Sequence, residues 1–278
     1  MNSLMDRIRA TTDRAALRGT LISIPTQTTT IEERGIPFVI HVTILQDRKR
    51  RAAARQVDRD FNPFLPPDPD LFIDDVAPRH FSVLNKFNVL DHHLLIVTRR
   101  FEPQETLLNL ADFEALTACM AEMDGLGFYN GGTVAGASQP HKHLQLVPLP
   151  LGNGSRPTPL DWVLTASNGT GAATTVPLLP FAHSLITLDG SPLGSHRAVE
   201  LERLFRRGCA AVGVHDETRP YNFLLTRRWM LVVPRSRECW HGISINALGF
   251  AGSLLARTTD ELERIRASGP LAVLRSVV

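Results

Sequence analysis

The chain has 278 residues, a formal net charge of +2, 43% hydrophobic and 21% charged residues, enough for one large α/β domain or two intimately packed lobes. So small a basic excess argues against a general nucleic-acid binder. No apolar run approaches a membrane span and the first residues lack a secretory core, while Cys119, Cys209 and Cys239 are odd in number, widely spaced and unpaired, which fits a reduced cytoplasmic setting.

In chain order, the first expected element is a helix reaching about Arg18, with Leu4, Ile8 and Leu17 as apolar markers. Phe38 to Leu45 is a strand rich in β-branched residues. Arg48 to Arg59 is a basic stretch that reads either as a solvated face or as a rim attracting polyphosphate. Asn62-Pro-Phe-Leu-Pro-Pro-Asp-Pro69 reads as a proline-stiffened connector. Strands follow at His80 to Asn85 and Leu94 to Thr98, then a helix from Asp112 to Met123 with Phe113, Leu116, Met120 and Met123 as its core stripe. Gly152 to Pro180, rich in Gly, Pro, Ser, Thr and Asn, is the natural lobe boundary. Beyond it come a helix over His196 to Val212 carrying Leu201, Leu204, Phe205 and Val212, and strands at Tyr221 to Leu225 and Met230 to Val233. Thr258-Thr-Asp-Glu261 is a capping box opening a last helix before Gly269-Pro270.

Chemistry concentrates in Gly136-Ala-Ser-Gln-Pro-His-Lys-His-Leu-Gln-Leu-Val-Pro148. On an extended chain His141, His143 and Gln145 share one face, and Lys142, Leu144 and Leu146 take the other. Pro148 and Pro150 mark where that strand stops. An imidazole beside amide and hydroxyl donors, at the mouth of a glycine loop, is equipped to attack phosphorus. Asn130-Gly-Gly132 and Gly136-Ala137-Ser138-Gln139 form a candidate phosphate cradle, because glycines let backbone N–H groups approach oxyanions while Ser138 and Gln139 add donors. Taken alone, His-x-His also fits a metal pair and the loop also fits a plain turn. Lysine is scarce among the thirty basic residues, yet Lys86 and Lys142 both fall beside these motifs, and an ammonium is not interchangeable with a guanidinium at a tight phosphate site.

Six segments, in this order, resemble the ATP adenylyltransferases, also called diadenosine tetraphosphate phosphorylases, of the histidine-triad superfamily, which includes galactose-1-phosphate uridylyltransferase. They are Asn62 to Pro67, Leu84 to Val89, His93 to Thr98, Tyr129 to Gly132 with Gly136 to Pro148, Tyr221-Asn222, and Asn246 to Leu255. The resemblance implies a HIT-like α/β (α+β) fold, mainly antiparallel sheet flanked by helices. It places a catalytic region over residues 1–185 and a C-terminal region completing the nucleotide site over 186–278.

By the same resemblance His143 is the nucleophile, its second ring nitrogen held by a backbone carbonyl near His141, which becomes an architectural partner. Gln145 stands where hydrolytic relatives carry a third histidine, and marks a transferase. Asn85, Lys86, Asn130, Gly136, Ala137, Ser138 and Gln139 match substrate contacts. Asn222, Thr226 and Met230 lie in the C-terminal segment of the nucleotide site, and Arg235 adds charge there. His93 reads equally as the superfamily's early-strand histidine or as a satisfied core histidine, and His241 is undecided.

The implied reaction is cleavage of diadenosine 5′,5‴-tetraphosphate by phosphate to ATP and ADP, reversibly, through an adenylyl-histidine. Mg²⁺ would screen the polyphosphate without a fixed protein site. The expected partners are small-molecule nucleotides, with no nucleic acid or membrane and a monomer favoured. The rivals are a hydrolase of the same dinucleotides, a uridylyl- or sulfate-adenylyl transferase, a non-catalytic nucleotide sensor, and a metal site at His141 and His143. Gln145 and Leu248-Gly-Phe-Ala-Gly252 weigh against the first two, and an intact His143 against the sensor.

Overall fold

The computed structural model describes residues 3–44, 62–152, 154–166 and 170–278. Leu45, the basic Arg48 to Arg59 stretch, and residues 153 and 167–169 of the expected lobe boundary lie outside the described residues. The first half contains α1 (Leu4–Leu17), β1 (Thr26–Glu33), β2 (Ile36–Thr43), β3 (Phe72–Ala77), β4 (His80–Leu84), β5 (Leu94–Thr98), α2 (Leu110–Glu122), β6 (Gly125–Gly131) and β7 (His143–Pro148). The second contains α3 (Asp161–Leu164), β8 (Ala173–Thr174), β9 (Ser184–Thr187), α4 (Ala198–Ala211), β10 (Tyr221–Leu225) and β11 (Trp229–Pro234). It closes with β12 (Cys239–Trp240), β13 (Ile243–Ser244), β14 (Ser253–Ala256), α5 (Thr259–Ser268) and α6 (Pro270–Arg275).

Ser3 starts α1 with a full capping box, exchanging hydrogen bonds with Asp6. Leu4, Ile8, Thr11 and Ala15 form its buried stripe, whereas Leu17 is 90% exposed. Nine positions beyond Ile8, a residue points about 180° away from it on the helix, so Ala15 rather than Leu17 completes the apolar face. The helix α2 opens on a second box, between Asn109 and Asp112, and buries Phe113, Leu116 and Met120 as the spacing predicts, whereas Met123, also buried, is its extended C-cap. A single turn of 3₁₀ helix, Ser195–Arg197, precedes α4, which therefore begins at Ala198. At α5 only half of the predicted box forms: Thr258 Oγ1 accepts the Glu261 N–H at 3.1 Å, but the Glu261 carboxylate accepts from Arg257 N at 2.6 Å. Gly269 (φ +82°) ends α5, and Pro270 starts α6 instead of closing the helical region.

The main sheet has the order β3-β4-β5-β7-β6-β10-β11-β9-β8, with every neighbouring pair antiparallel. A smaller sheet, β1-β2-β14, contains a parallel pair, β2 with β14. The β6–β10 pairing, with Asn130 opposite Asn222, joins the two halves of the chain into one sheet. Residue 185 lies inside β9, a strand of that same sheet.

Strand alternation sorts the central side chains into two cores. Tyr129, Leu144, Leu146, Tyr221 and Phe223 pack with Ile8, Phe113 and Phe205 of the helices α1, α2 and α4. Phe128, Val147, Leu224, Leu231 and Val233 pack on the opposite side with Phe38, Phe250 and Leu274. Lys142 belongs to the helical side. Its Nζ lies 2.6 Å from Asp112 Oδ2 and 3.1 Å from Leu107 O, and neither charged side chain is more than 1% exposed. The other Asp112 oxygen is 3.0 Å from His80 Nε2. The lysine between the two histidines is thus an anchor of β7 on α2, a fully committed ion pair turned away from the other face.

Candidate active site

By the same alternation His143 and Gln145 of β7, Asn130 of β6 and Asn222 of β10 all project from the non-helical face. His143 is 3% exposed, and its Nδ1 sits 2.8 Å from the His141 carbonyl oxygen. A carbonyl can only accept, so Nδ1 carries the proton and Nε2 keeps its lone pair. Among the described residues Nε2 has no hydrogen-bond partner, yet it is not sealed in the interior. Burial pushes the His143 pKa down to about 4, opposed only in part by the His141 carbonyl. The side chain is therefore a neutral imidazole with one aimed, unprotonated nitrogen.

Around it lies a frame that sequence patterns did not reveal. The ladder between β6 and β7 ends at Phe128–Gln145. Past that point Gln104, fully buried, bridges the strands: its Oε1 accepts His143 N–H at 2.8 Å, and its Nε2 donates to Asn130 O at 2.9 Å and His143 O at 3.2 Å. Gln104 follows β5 in an irregular loop with no period to flag it. His141 donates from Nε2 to Thr98 O at 2.9 Å, while its Nδ1 accepts from Asn62 Nδ2 at 2.9 Å. Asn62 is itself oriented by the Phe64 N–H, 3.0 Å from its Oδ1. The connector thus supplies Asn62 to fix His141, and Phe64, whose ring centroid is 5.2 Å from that of His143. A metal pair would need lone pairs from both histidines, and the one on His141 is spent on Asn62. Among the described residues no three or more His, Cys, Asp or Glu side chains converge on a metal position.

Two amides flank His143. Gln145 is 8% exposed, and its Oε1 lies 2.9 Å from His93 Nε2. His93 Nδ1 is 3.2 Å from Asn85 Nδ2, which draws Asn85 and His93 into one chain with Gln145. Asn130 Oδ1 accepts from Asn222 Nδ2 and from the Ala247 N–H, each at 2.9 Å, leaving its own Nδ2 without a partner among the described residues. Asn222 can be oriented without ambiguity, because Arg235 Nη1 donates to its Oδ1 at 2.6 Å and a guanidinium cannot accept.

The glycine loop closes the site. Gly132 and Gly136 take φ of +89° and +91°, and a Cβ at Gly136 would lie 2.7 Å from the Ile245 carbonyl oxygen, so only glycine fits. The Ala137 N–H is held by Gly132 O at 3.1 Å. Ser138 is exposed and Gln139 half-buried, and neither side chain bonds to a described residue. Lys86 is exposed, next to Asn85.

Four expected contacts fall elsewhere. Asn222 is wholly buried behind Asn130. Arg235, 4% exposed, donates to Asn222 and to the carbonyls of Ala135, Ile245, Arg237, Glu238 and Val277, which uses all its N–H groups. Burial pulls its pKa down to about 10, so it is a charged staple between the C-terminus and the loop, with no donor to spare. Thr226 makes the β10–β11 turn, accepting the Arg228 and Trp229 N–H groups at 3.2 Å. Met230 alternates onto the helical face and packs in that core. His241 packs on Trp240 in the β12–β13 turn, ring centroids 4.8 Å apart.

One neutral imidazole with a free nitrogen, set among amide donors and a glycine loop on an antiparallel sheet, is equipment for covalent catalysis at phosphorus. The Ap4A phosphorylase N-terminal domain family matches residues 1–166, and the ATP adenylyltransferase C-terminal domain family matches residues 177–278. The chain belongs to the Ap4A phosphorylase family, whose members are nucleotidyltransferases. It is similar to diadenosine 5′,5‴-P1,P4-tetraphosphate phosphorylase 2 of Saccharomyces cerevisiae, 27% identical, the alignment covering 86% of this chain and 80% of that one. Protein APA1 of the same yeast is 25% identical over 89% of this chain and 84% of its own. The crystal structure of yeast Ap4A phosphorylase Apa2 in complex with AMP superposes with a TM-score of 0.81 at 22% identity, covering 100% of this chain and 97% of that one, a likeness of fold.

Proposed function

We propose that this enzyme cleaves diadenosine tetraphosphate with inorganic phosphate to ATP and ADP, through an adenylyl group carried on His143. The observation that supports it most is the His143 ring itself, with Nδ1 tied to the His141 carbonyl and Nε2 left free. The Nε2 lone pair attacks an α-phosphorus, forming the N–P bond as the bond to the bridging oxygen breaks. ATP leaves with that electron pair, and because it is a good leaving group the step needs little acid assistance. An oxygen of inorganic phosphate then attacks the same phosphorus, making ADP and returning the electron pair to Nε2. Splitting one displacement into two in this way keeps the energy of the adenylyl bond and makes the reaction reversible.

Gln145 Nε2 and Asn130 Nδ2 face the non-bridging oxygens, where donors gain most as charge shifts in the transition state. Ser138 and Gln139, by side chain and backbone N–H, take the remaining phosphates, since the Gly136 and Ala137 N–H groups are held within the loop, and Lys86 with Asn85 the far end of the chain. Mg²⁺, as counter-ion of the polyphosphate, supplies charge screening. No helix among the described residues is long and apolar enough to cross a membrane, and the three cysteines are free thiols, two of them buried, in keeping with a reducing, cytoplasmic setting.

Incubation with diadenosine tetraphosphate and Mg²⁺, with and without phosphate, tests the reading. ATP plus ADP only in the presence of phosphate is the expected result; two ADP, or ATP plus AMP, without it would mean a hydrolase. Gln145→Ala is expected to lower kcat roughly 10²-fold with a much smaller change in KM, as for loss of one oxyanion donor. The reverse split would reduce Gln145 to a ground-state contact.

A further inference from the structure

We infer that His93 is a positioning residue, which decides the end of the Gln145 amide that faces the reacting phosphate. The proposal takes its phosphate from the functional reading above, but its geometry stands apart from it. The oxygen and nitrogen of an amide are nearly equal in size, so packing cannot choose between them and hydrogen bonding must. For Gln145 the choice is decisive: two N–H donors toward a phosphate oxygen attract it, whereas a carbonyl oxygen repels it.

The choice can be followed from a group that has no alternative. The Phe87 backbone N–H can only donate, and it lies 3.2 Å from Asn85 Oδ1. Asn85 is thereby oriented with its Nδ2 toward His93 Nδ1, 3.2 Å away. With Nδ1 accepting, the neutral ring carries its proton on Nε2, and donates it to Gln145 Oε1 at 2.9 Å. Both amide protons of Gln145 are then left for the site, and no described residue takes them. The ring is 7% exposed and tilts against Phe128 with centroids 5.8 Å apart. Desolvation brings its pKa to about 4, keeping it neutral near pH 7. The opposite tautomer would offer Gln145 a lone pair, draw the NH₂ inward and turn the carbonyl onto the phosphate. His93 and His143 thus hold opposite tautomers for opposite purposes, one to give a proton to an amide and the other to keep a lone pair for phosphorus.

The test is a kinetic cycle on the full chain, with diadenosine tetraphosphate and phosphate as substrates. His93→Leu removes the donor and is expected to lower kcat roughly 10- to 100-fold, with KM changed less than about threefold. His93→Gln, whose amide nitrogen falls near the position of Nε2, is expected to restore most of the loss. In a Gln145→Ala background His93→Leu is expected to add no further loss, because the relay then has nothing to orient. A His93→Leu enzyme with normal kcat, a His93→Gln enzyme as impaired as His93→Leu, or additive losses in the cycle would each overturn the proposal. Should His93→Leu fail to fold, ¹⁵N spectra of the wild-type histidines decide: protonation of His93 at Nε2 supports the relay, and protonation at Nδ1 overturns it. Unimpaired turnover by Gln145→Ala would count against the role given to Gln145 in catalysis, whereas an impaired Gln145→Ala beside a normal His93→Leu removes the relay alone.

Discussion

His143→Asn is expected to abolish phosphorolysis while leaving the fold intact. Asparagine keeps a nitrogen close to the position of Nδ1, so the 2.8 Å contact with the His141 carbonyl can persist. What disappears is Nε2, the atom that would bond to phosphorus. The expected loss in kcat is roughly 10⁴-fold or more, the scale seen when a covalent nucleophile is removed. Radiolabelled substrate without phosphate should trap an adenylyl-protein with the wild type and none with the variant. Turnover near the wild-type rate would mean that phosphorus is attacked by another group, or by phosphate directly.

Acid should weaken this fold before most of its carboxylates protonate. His93 and His143 have pKa values near 4 because burial disfavours the imidazolium. The same side chains in an unfolded chain titrate near 6.5. Between the two values the unfolded state binds more protons, so stability rises with pH there. The contribution is complete above about pH 6.5 and is lost as the pH falls toward 4, at about 1.4 kcal/mol per pH unit for each imidazole. Burial lowers His41, His141 and His183 as well, which steepens the fall. Asp112, on the far face, is lowered below its usual 3.8 and titrates beneath this window. Urea midpoints from about pH 7 to about pH 4.5 should therefore drop, with a shallower slope in His143→Asn. A flat profile, or one unchanged by the substitution, would contradict the neutral buried state of these rings.

The alternation in His141 to Pro148 placed Lys142 and Leu144 opposite His143 and Gln145 without further information, since a strand has a period of two and apolar residues go inward. Helix α2 was equally legible, its stripe from Phe113 to Met120 being local. Leu17 departs from expectation for a local reason too: it lies at the wrong angle for the stripe. Met230 and Arg235 lie away from their expected places for a different reason. Their segment does belong to the sheet beside the site, but the face each side chain takes depends on the β10–β11 register and on the backbone carbonyls around it. Neither is written in residue type.

The residues proposed to do the chemistry were determined by the sequence alone: an imidazole and an amide two positions apart, neighbours on any extended chain, close behind a glycine loop. Which nitrogen of each ring carries its proton, and which end of each amide faces the site, was decided by tertiary structure. Those choices depend on Asn62 and Thr98 at His141, Asn85 and His93 at Gln145, and Arg235 and Asn222 at Asn130. Each brings together groups from distant parts of the chain. Hydrogen-bond direction is a property of a closed network, and a network closes only when the strands have found their partners.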